Sequence, residues 1–253
     1  MKWTTFVLIF LAFFFNSIGQ PVSPIPGGAG KIVFTAAGGT ATNFLVDPEW
    51  RVTTLQAGAV WGQYGSIQGS AFYKEEWHKG YIILKGNRLI KDISLSYNIY
   101  ENQIYYLQDS QALVLDASIP VEEFGLYDHK EDTNHLTIFR CGYPSTGRNN
   151  EKTFYQVIAN DRIQLLKHYG KSIIESVNLA SAPDKSFFDS ETWFVYNASE
   201  NKLTAIKKNK SSLEDALPQY TNLIQSIIQQ NNFKLKTENE WASLFDELNK
   251  QAK

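Results

Sequence analysis

Apolar residues recur at every second position through most of this chain and at every third or fourth near its end. That switch limits the fold more than any other feature. Ile93, Leu95, Tyr97 and Ile99 alternate with Asp92, Ser94, Ser96 and Asn98, the pattern of a strand with one buried and one wet face. Before it, Gly80 to Lys85 is an apolar run closed by Gly86-Asn87, a hairpin-type turn. After it, Glu101-Asn102 and Asp109-Ser110 separate the runs Gln103 to Leu107 and Gln111 to Leu115. Parallel neighbours need a crossover of a dozen or more residues, so links this short imply antiparallel pairing. Further strands are expected at Val121 to Leu126, Leu136 to Arg140, Thr153 to Ala159, Arg162 to Tyr169, Thr192 to Tyr196 and Lys202 to Ile206. Asn160-Asp161 reads as a tight hairpin. Residues 31–70 are less regular, with short strands expected near 31–35, 44–46 and 51–55.

From residue 211 the period becomes helical. Leu213, Leu217, Tyr220, Leu223, Ile224, Ile227 and Ile228 are spaced by three or four, after a capping-box pattern at Ser211-Ser-Leu-Glu214. Pro218 is expected to kink or split this segment. A second box, Thr237-Glu-Asn-Glu240, precedes the stripe Trp241, Leu244, Phe245 and Leu248. Helices are therefore expected near 211–230 and 238–249. Neither buries its stripe alone, so each must pack on the other or on the sheet. The expected fold class is α+β: an antiparallel β-meander, a curved or partly closed sheet, with two C-terminal amphipathic helices. Residues 31–253 read as a single domain.

The N-terminus has a different grammar. Lys2 precedes the unbroken apolar run Phe6 to Phe15, and Ser17 and Gly19 then place small residues two apart. This is the plan of a secretory signal peptide over residues 1–19. Ten apolar residues fall short of the roughly 20 that span a bilayer. Cleavage after Gly19 would leave Gln20 first, followed by a Pro- and Gly-rich linker over 20–30. Gly27-Gly-Ala-Gly-Lys31 is not a phosphate loop, because Ile25 and Ile32 stand where that motif needs Gly and Ser or Thr. The lone cysteine, Cys141, lies far from the apolar run, which argues against a lipoprotein. The expected location is therefore periplasmic or extracellular, without a transmembrane anchor in the mature chain.

Charge excludes some function classes. The chain has 24 Lys and Arg against 26 Asp and Glu, and removal of Lys2 with the signal leaves 23 against 26. No basic footprint for nucleic acid is present. One cysteine means no internal disulfide, so a hydrophobic core must supply the stability.

Gly69-Ser70, Trp77-His-Lys-Gly-Tyr-Ile82 and Leu95-Ser-Tyr-Asn-Ile-Tyr100 resemble motifs of a group of secreted, uncharacterised bacterial proteins of the Bacteroidetes type. Phe154-Tyr-Gln-Val157, Leu165-Leu-Lys167 and the Lys-rich lead from Lys207 to Leu213 fit the same group. The resemblance covers roughly 69–250. It implies export and a β-meander with C-terminal helices, and it carries over no activity.

Two residue sets are candidate sites. Trp61, Tyr64, Tyr73, Trp77 and Tyr81 form an aromatic-rich stretch. Flat rings on a sheet stack on sugars or hold apolar ligands, and they equally serve cross-strand packing. Asp128, His129, Asp132 and His135 cluster in a polar loop, where imidazole and carboxylate suit a divalent cation. The competing reading is a solvated loop. Cys141 follows Arg140, whose guanidinium would lower a thiol pKa if it faced it; a small buried thiol is the plainer reading. There is no GxSxG elbow, and the adjacent acids Glu75-Glu76 and Glu122-Glu123 point to opposite faces of a strand. No cofactor is expected. The sequence thus favours an exported, non-catalytic binding protein for an apolar molecule, a glycan or a protein. The alternatives are a structural or interaction protein without a small ligand and, further off, a hydrolase. An envelope protein, glycan or lipid is the expected class of partner.

Overall fold

The computed structural model describes residues 34–35, 51–56, 59–128, 135–176 and 184–252. The signal peptide, the 20–30 linker and the expected strand near 44–46 lie outside them. The described residues form thirteen strands. They are β1 (Phe34–Thr35), β2 (Arg51–Gln56), β3 (Ile67–Gln68), β4 (His78–Leu84), β5 (Arg88–Asn98), β6 (Gln103–Gln108), β7 (Gln111–Leu115), β8 (Val121–Tyr127), β9 (Leu136–Arg140), β10 (Tyr155–Ala159), β11 (Ile163–Ser176), β12 (Asp184–Asn197) and β13 (Lys202–Ile206). Helices α1 (Lys210–Ala216), α2 (Thr221–Asn231) and α3 (Glu238–Gln251) follow. The protein is β-rich with C-terminal helices, in the order β13-β12-β11-β10-β9-β8-β4-β5-β6-β7-β2.

Two features depart from a simple antiparallel meander. The sheet is mixed, because β3 pairs with β12 in parallel. From β4 to β13 the meander breaks once: β8 does not lie beside β7 but returns to pair with β4. Only residues 116–120 make that return, and a link of this length reaches at most about 20 Å.

The β4–β5 hairpin makes this possible. Its register slips between Gly80 and Ile82, and Asp92 opposite the slip has φ 55°. This is a bulge, which bends a strand and sharpens its twist. The hairpin's upper half pairs with β8 and its lower half with β6. Phe124 sits level with Ile82 and Ile90, seven residues along β5 from Tyr97. In a flat sheet those rings would lie about 23 Å apart, yet their centroids are 5.2 Å apart. The sheet folds back on itself at the bulge. Ile82, Leu84, Ile90, Leu95, Tyr97, Phe124 and Phe139 fill the fold with one buried core.

The turn residues explain the other corners. Asp109 and Ser110, both at positive φ (49° and 64°), form the two-residue turn between Gln108 and Gln111, as a hairpin turn with the right twist requires. At the C-terminus Trp241, Leu244, Phe245 and Leu248 are fully buried against Ile224, Ile227 and the sheet residues Ile163, Leu165 and Trp193. Asn249 staples this layer. Its side-chain amide donates to the Ile163 carbonyl (2.8 Å) and its oxygen accepts from the Ile163 N–H (2.9 Å). The Thr237 capping box forms as expected. Pro218 opens a single turn of 3-10 helix that separates α1 from α2. The first helix differs from expectation at its start: Asn209, not Ser211, is the cap, accepting from the Ser212 N–H.

Candidate functional site

A pocket of about 260 Å³ opens where the β7–β8 connector crosses the end of the folded sheet. Leu115 and Ile104 reach it from the ends of β7 and β6, Val121 from the start of β8, and Phe154 from the loop before β10. Ile119, the largest apolar side chain of the connector, is 8% exposed and lines it too. The connector is held in shape at three points. Asp116 accepts from the Ser118 N–H at 2.7 Å, the Ile119 N–H donates to the Asp116 carbonyl at 3.0 Å, and the Lys85 N–H donates to the Pro120 carbonyl at 2.8 Å.

Polar groups are few and sit among these apolar walls. The Asp116 carboxyl is held below its ordinary pKa by the Ser118 hydroxyl and N–H, so it is anionic at neutral pH. Lys152 and Gln103 also line the opening. Asn102 is committed: it accepts from the Tyr97 hydroxyl (2.8 Å) and donates to the Lys152 carbonyl (2.9 Å).

Cys141 lines the same pocket, and its thiol donates to the Val121 carbonyl at 3.0 Å. Burial, with the Glu122 carboxylate adding to it, pushes the thiol up to about 11. The neighbouring Arg140 gives it no help. That guanidinium turns to the other face, where it donates to Glu123 at 2.8 and 2.6 Å and to Asn160 at 2.7 Å. The Cys141 thiolate, the nucleophilic form, is thereby disfavoured at neutral pH.

The aromatic stretch separates into three places. Trp61, Tyr64 and Trp77 do come together: Trp61 stacks on Phe72 (5.7 Å) and tilts against Trp77 (5.0 Å), while Tyr64 meets Phe72 edge-on (6.5 Å). Tyr64 also packs on Phe187 and Tyr100 and accepts from the Asn98 amide at 3.0 Å. Tyr73 instead packs on Phe139 and Tyr169 at the edge of the main core. Tyr81 lies on the sheet's other face, its hydroxyl donating to Glu123 at 2.7 Å. None of the five lines the pocket. Apart from Tyr81, their rings pack against other aromatic rings of the chain.

Of the loop set, His129 and Asp132 lie outside the described residues. Asp128 and His135 stand at the base of the loop, joined by the Asp128 N–H donating to the His135 carbonyl at 2.9 Å. The Asp128 carboxylate accepts from Lys74 at 3.2 Å and from Thr137 at 3.3 Å. Among the described residues no three His, Cys, Asp or Glu side chains group as metal ligands. No helix among the described residues is long and apolar enough to cross a membrane.

Sequence reasoning missed the pocket because its walls come from four separated segments. The local signal was slight: Ile119-Pro120 is an apolar step in an otherwise polar link. Comparison with known protein-family models, curated proteins and solved structures returns no match.

Proposed function

We propose that this chain is an exported, non-catalytic binding protein of the cell envelope or exterior, related to the secreted Bacteroidetes-type proteins its motifs resemble. Its curved, partly closed sheet holds a small, largely apolar ligand. The observation that carries this reading is the pocket at the β7–β8 connector, walled by Ile104, Leu115, Ile119, Val121 and Phe154. Apolar concavities with a few placed polar groups are the usual small-ligand sites. A volume of about 260 Å³ suits a compact molecule. Asp116, anionic, and Lys152 both line the pocket, and opposite charges there suit a hydroxyl or other neutral polar end better than a net charge. The raised pKa of Cys141 weighs against covalent catalysis there.

The test is a titration with benzyl alcohol followed by amide chemical shifts. Saturable shifts confined to residues 102–104, 115–121, 141 and 152–154 are expected, and Ala117→Trp, which fills the opening, abolishes them. Shifts scattered over the surface, or none at millimolar probe, would refute the reading.

A further inference from the structure

We propose that the outer half of the β11–β12 hairpin is a self-association edge, at which two copies of this chain pair antiparallel through β11. The hairpin is far longer than its core requires. Its fourteen cross-strand pairs run from Ile163↔Asn197 to Ser176↔Asp184 without a register shift. β10 covers β11 only as far as Lys167, so among the described residues no strand pairs with the other edge of β11 from His168 to Ser176. Proteins blunt such edges with bulges, prolines or unpaired charges. This edge has no bulge and no proline, and its Lys171 already pairs with Asp189 across the hairpin (2.7 Å). The outward face carries two of the most exposed apolar side chains among the described residues, Phe188 at 55% and Ile174 at 50%.

The charges select the partner and its register. When two β11 edges meet antiparallel about a two-fold axis at Ile173, Lys171 of each copy stands opposite Glu175 of the other. Glu175 is already bridged to Lys185 (2.8 Å) and Lys171 to Asp189. Each row across the four strands then reads Lys185, Glu175, Lys171, Asp189, alternating in sign throughout. The row between them is apolar: Phe187, Ile173, Ile173, Phe187. On the opposite face Ile174 moves beside Ser172 of the other copy, in the row that ends in that copy's Phe188. Centring on Lys171 or Glu175 instead would set like charges opposite each other, which destabilises a sheet. Centring one residue either side of Ile173 leaves the charges facing apolar or uncharged neighbours. A self-complementary strip of this kind is what a two-fold interface requires.

The test uses the mature chain. Sedimentation across the micromolar range is expected to show a monomer–dimer equilibrium, with the amides of 168–176 gaining hydrogen-exchange protection as concentration rises. In a Cys141→Ser background, Ile173→Cys places two thiols directly opposite, at a Cα separation of about 4.5–5.5 Å, within disulfide reach. Ser172→Cys places its pair about 8 Å apart, out of reach. Mild oxidation is therefore expected to cross-link Ile173→Cys at least about tenfold faster than Ser172→Cys. A monomer at every concentration overturns the proposal, and so does equal cross-linking of the two variants.

Discussion

Replacing Gly125 by alanine tests how the folded sheet is locked. An added Cβ would stand 2.3 Å from Tyr81 Cε1, 2.7 Å from Tyr81 Cζ and 2.9 Å from Leu136 Cδ1. Carbon atoms in contact rest at about 3.5–4.0 Å, so the tyrosine ring must move by more than an ångström. The Leu136 methyl is the end of a flexible side chain and yields more easily. The ring is not free to move. Its hydroxyl donates at 2.7 Å to Glu123, a buried carboxylate also held by Arg140. Overpacking costs about 1–3 kcal/mol, and losing a hydrogen bond to a charged group costs about 1.5–3 kcal/mol more. Gly125→Ala is therefore expected to destabilise by about 2.5–6 kcal/mol in equilibrium urea unfolding. A double-mutant cycle isolates the cause. In a Tyr81→Ala background the same substitution meets no ring and should cost less than about 1 kcal/mol, since alanine loses less backbone entropy than glycine on folding. A cost under about 1 kcal/mol in the native background, or an undiminished cost beside Tyr81→Ala, refutes the argument.

Three further outcomes follow from the same structure. His168, packed on Tyr155 (5.6 Å), has its pKa lowered by burial. The unfolded chain then binds the extra proton first, so this contribution is complete above pH about 6.5 and is lost on acidification through the folded pKa. Thermal midpoints should fall from pH 7 to 5, and His168→Gln should flatten that slope. At pH 8 the Cys141 thiol, raised from 9.0 to about 11, should react with iodoacetamide about 100-fold more slowly than an ordinary thiol; comparable rates would show it unburied. Asn249→Ala strips both partners from the Ile163 backbone and should cost about 2–4 kcal/mol, read by urea unfolding, with α3 losing exchange protection first.

How much of this was legible follows from where the apolar side chains point. The alternation of Ile93, Leu95 and Tyr97 is plain because one face of β5 is buried in the main core. The stripe of α3 is plain for the same reason. The outer half of the β11–β12 hairpin was not legible. From Lys171 to Ser176 and from Asp184 to Glu191 both faces carry polar residues, and only Phe187 reaches a core cluster. Expected strands therefore stopped at Tyr169 and began at Thr192. The return of β8 to β4 was hidden for another reason. It depends on the bend at Asp92, and a residue at φ 55° in mid-strand leaves no periodic trace. The pocket inherits that difficulty, because only the fold-back brings the ends of β6 and β7 to Cys141 and Phe154. The aromatic stretch illustrates the converse. Its composition stood out, but composition does not say whether a ring faces solvent or, as with Trp61 and Phe72, another ring.

Native mass spectrometry of the mature protein purified from its own host tests both the export and the occupied pocket. The expected spectrum shows a chain beginning at Gln20, carrying one small organic molecule that is released on activation and is missing from the Ala117→Trp variant. A chain that retains Met1, or a bare protein in every preparation, would contradict it.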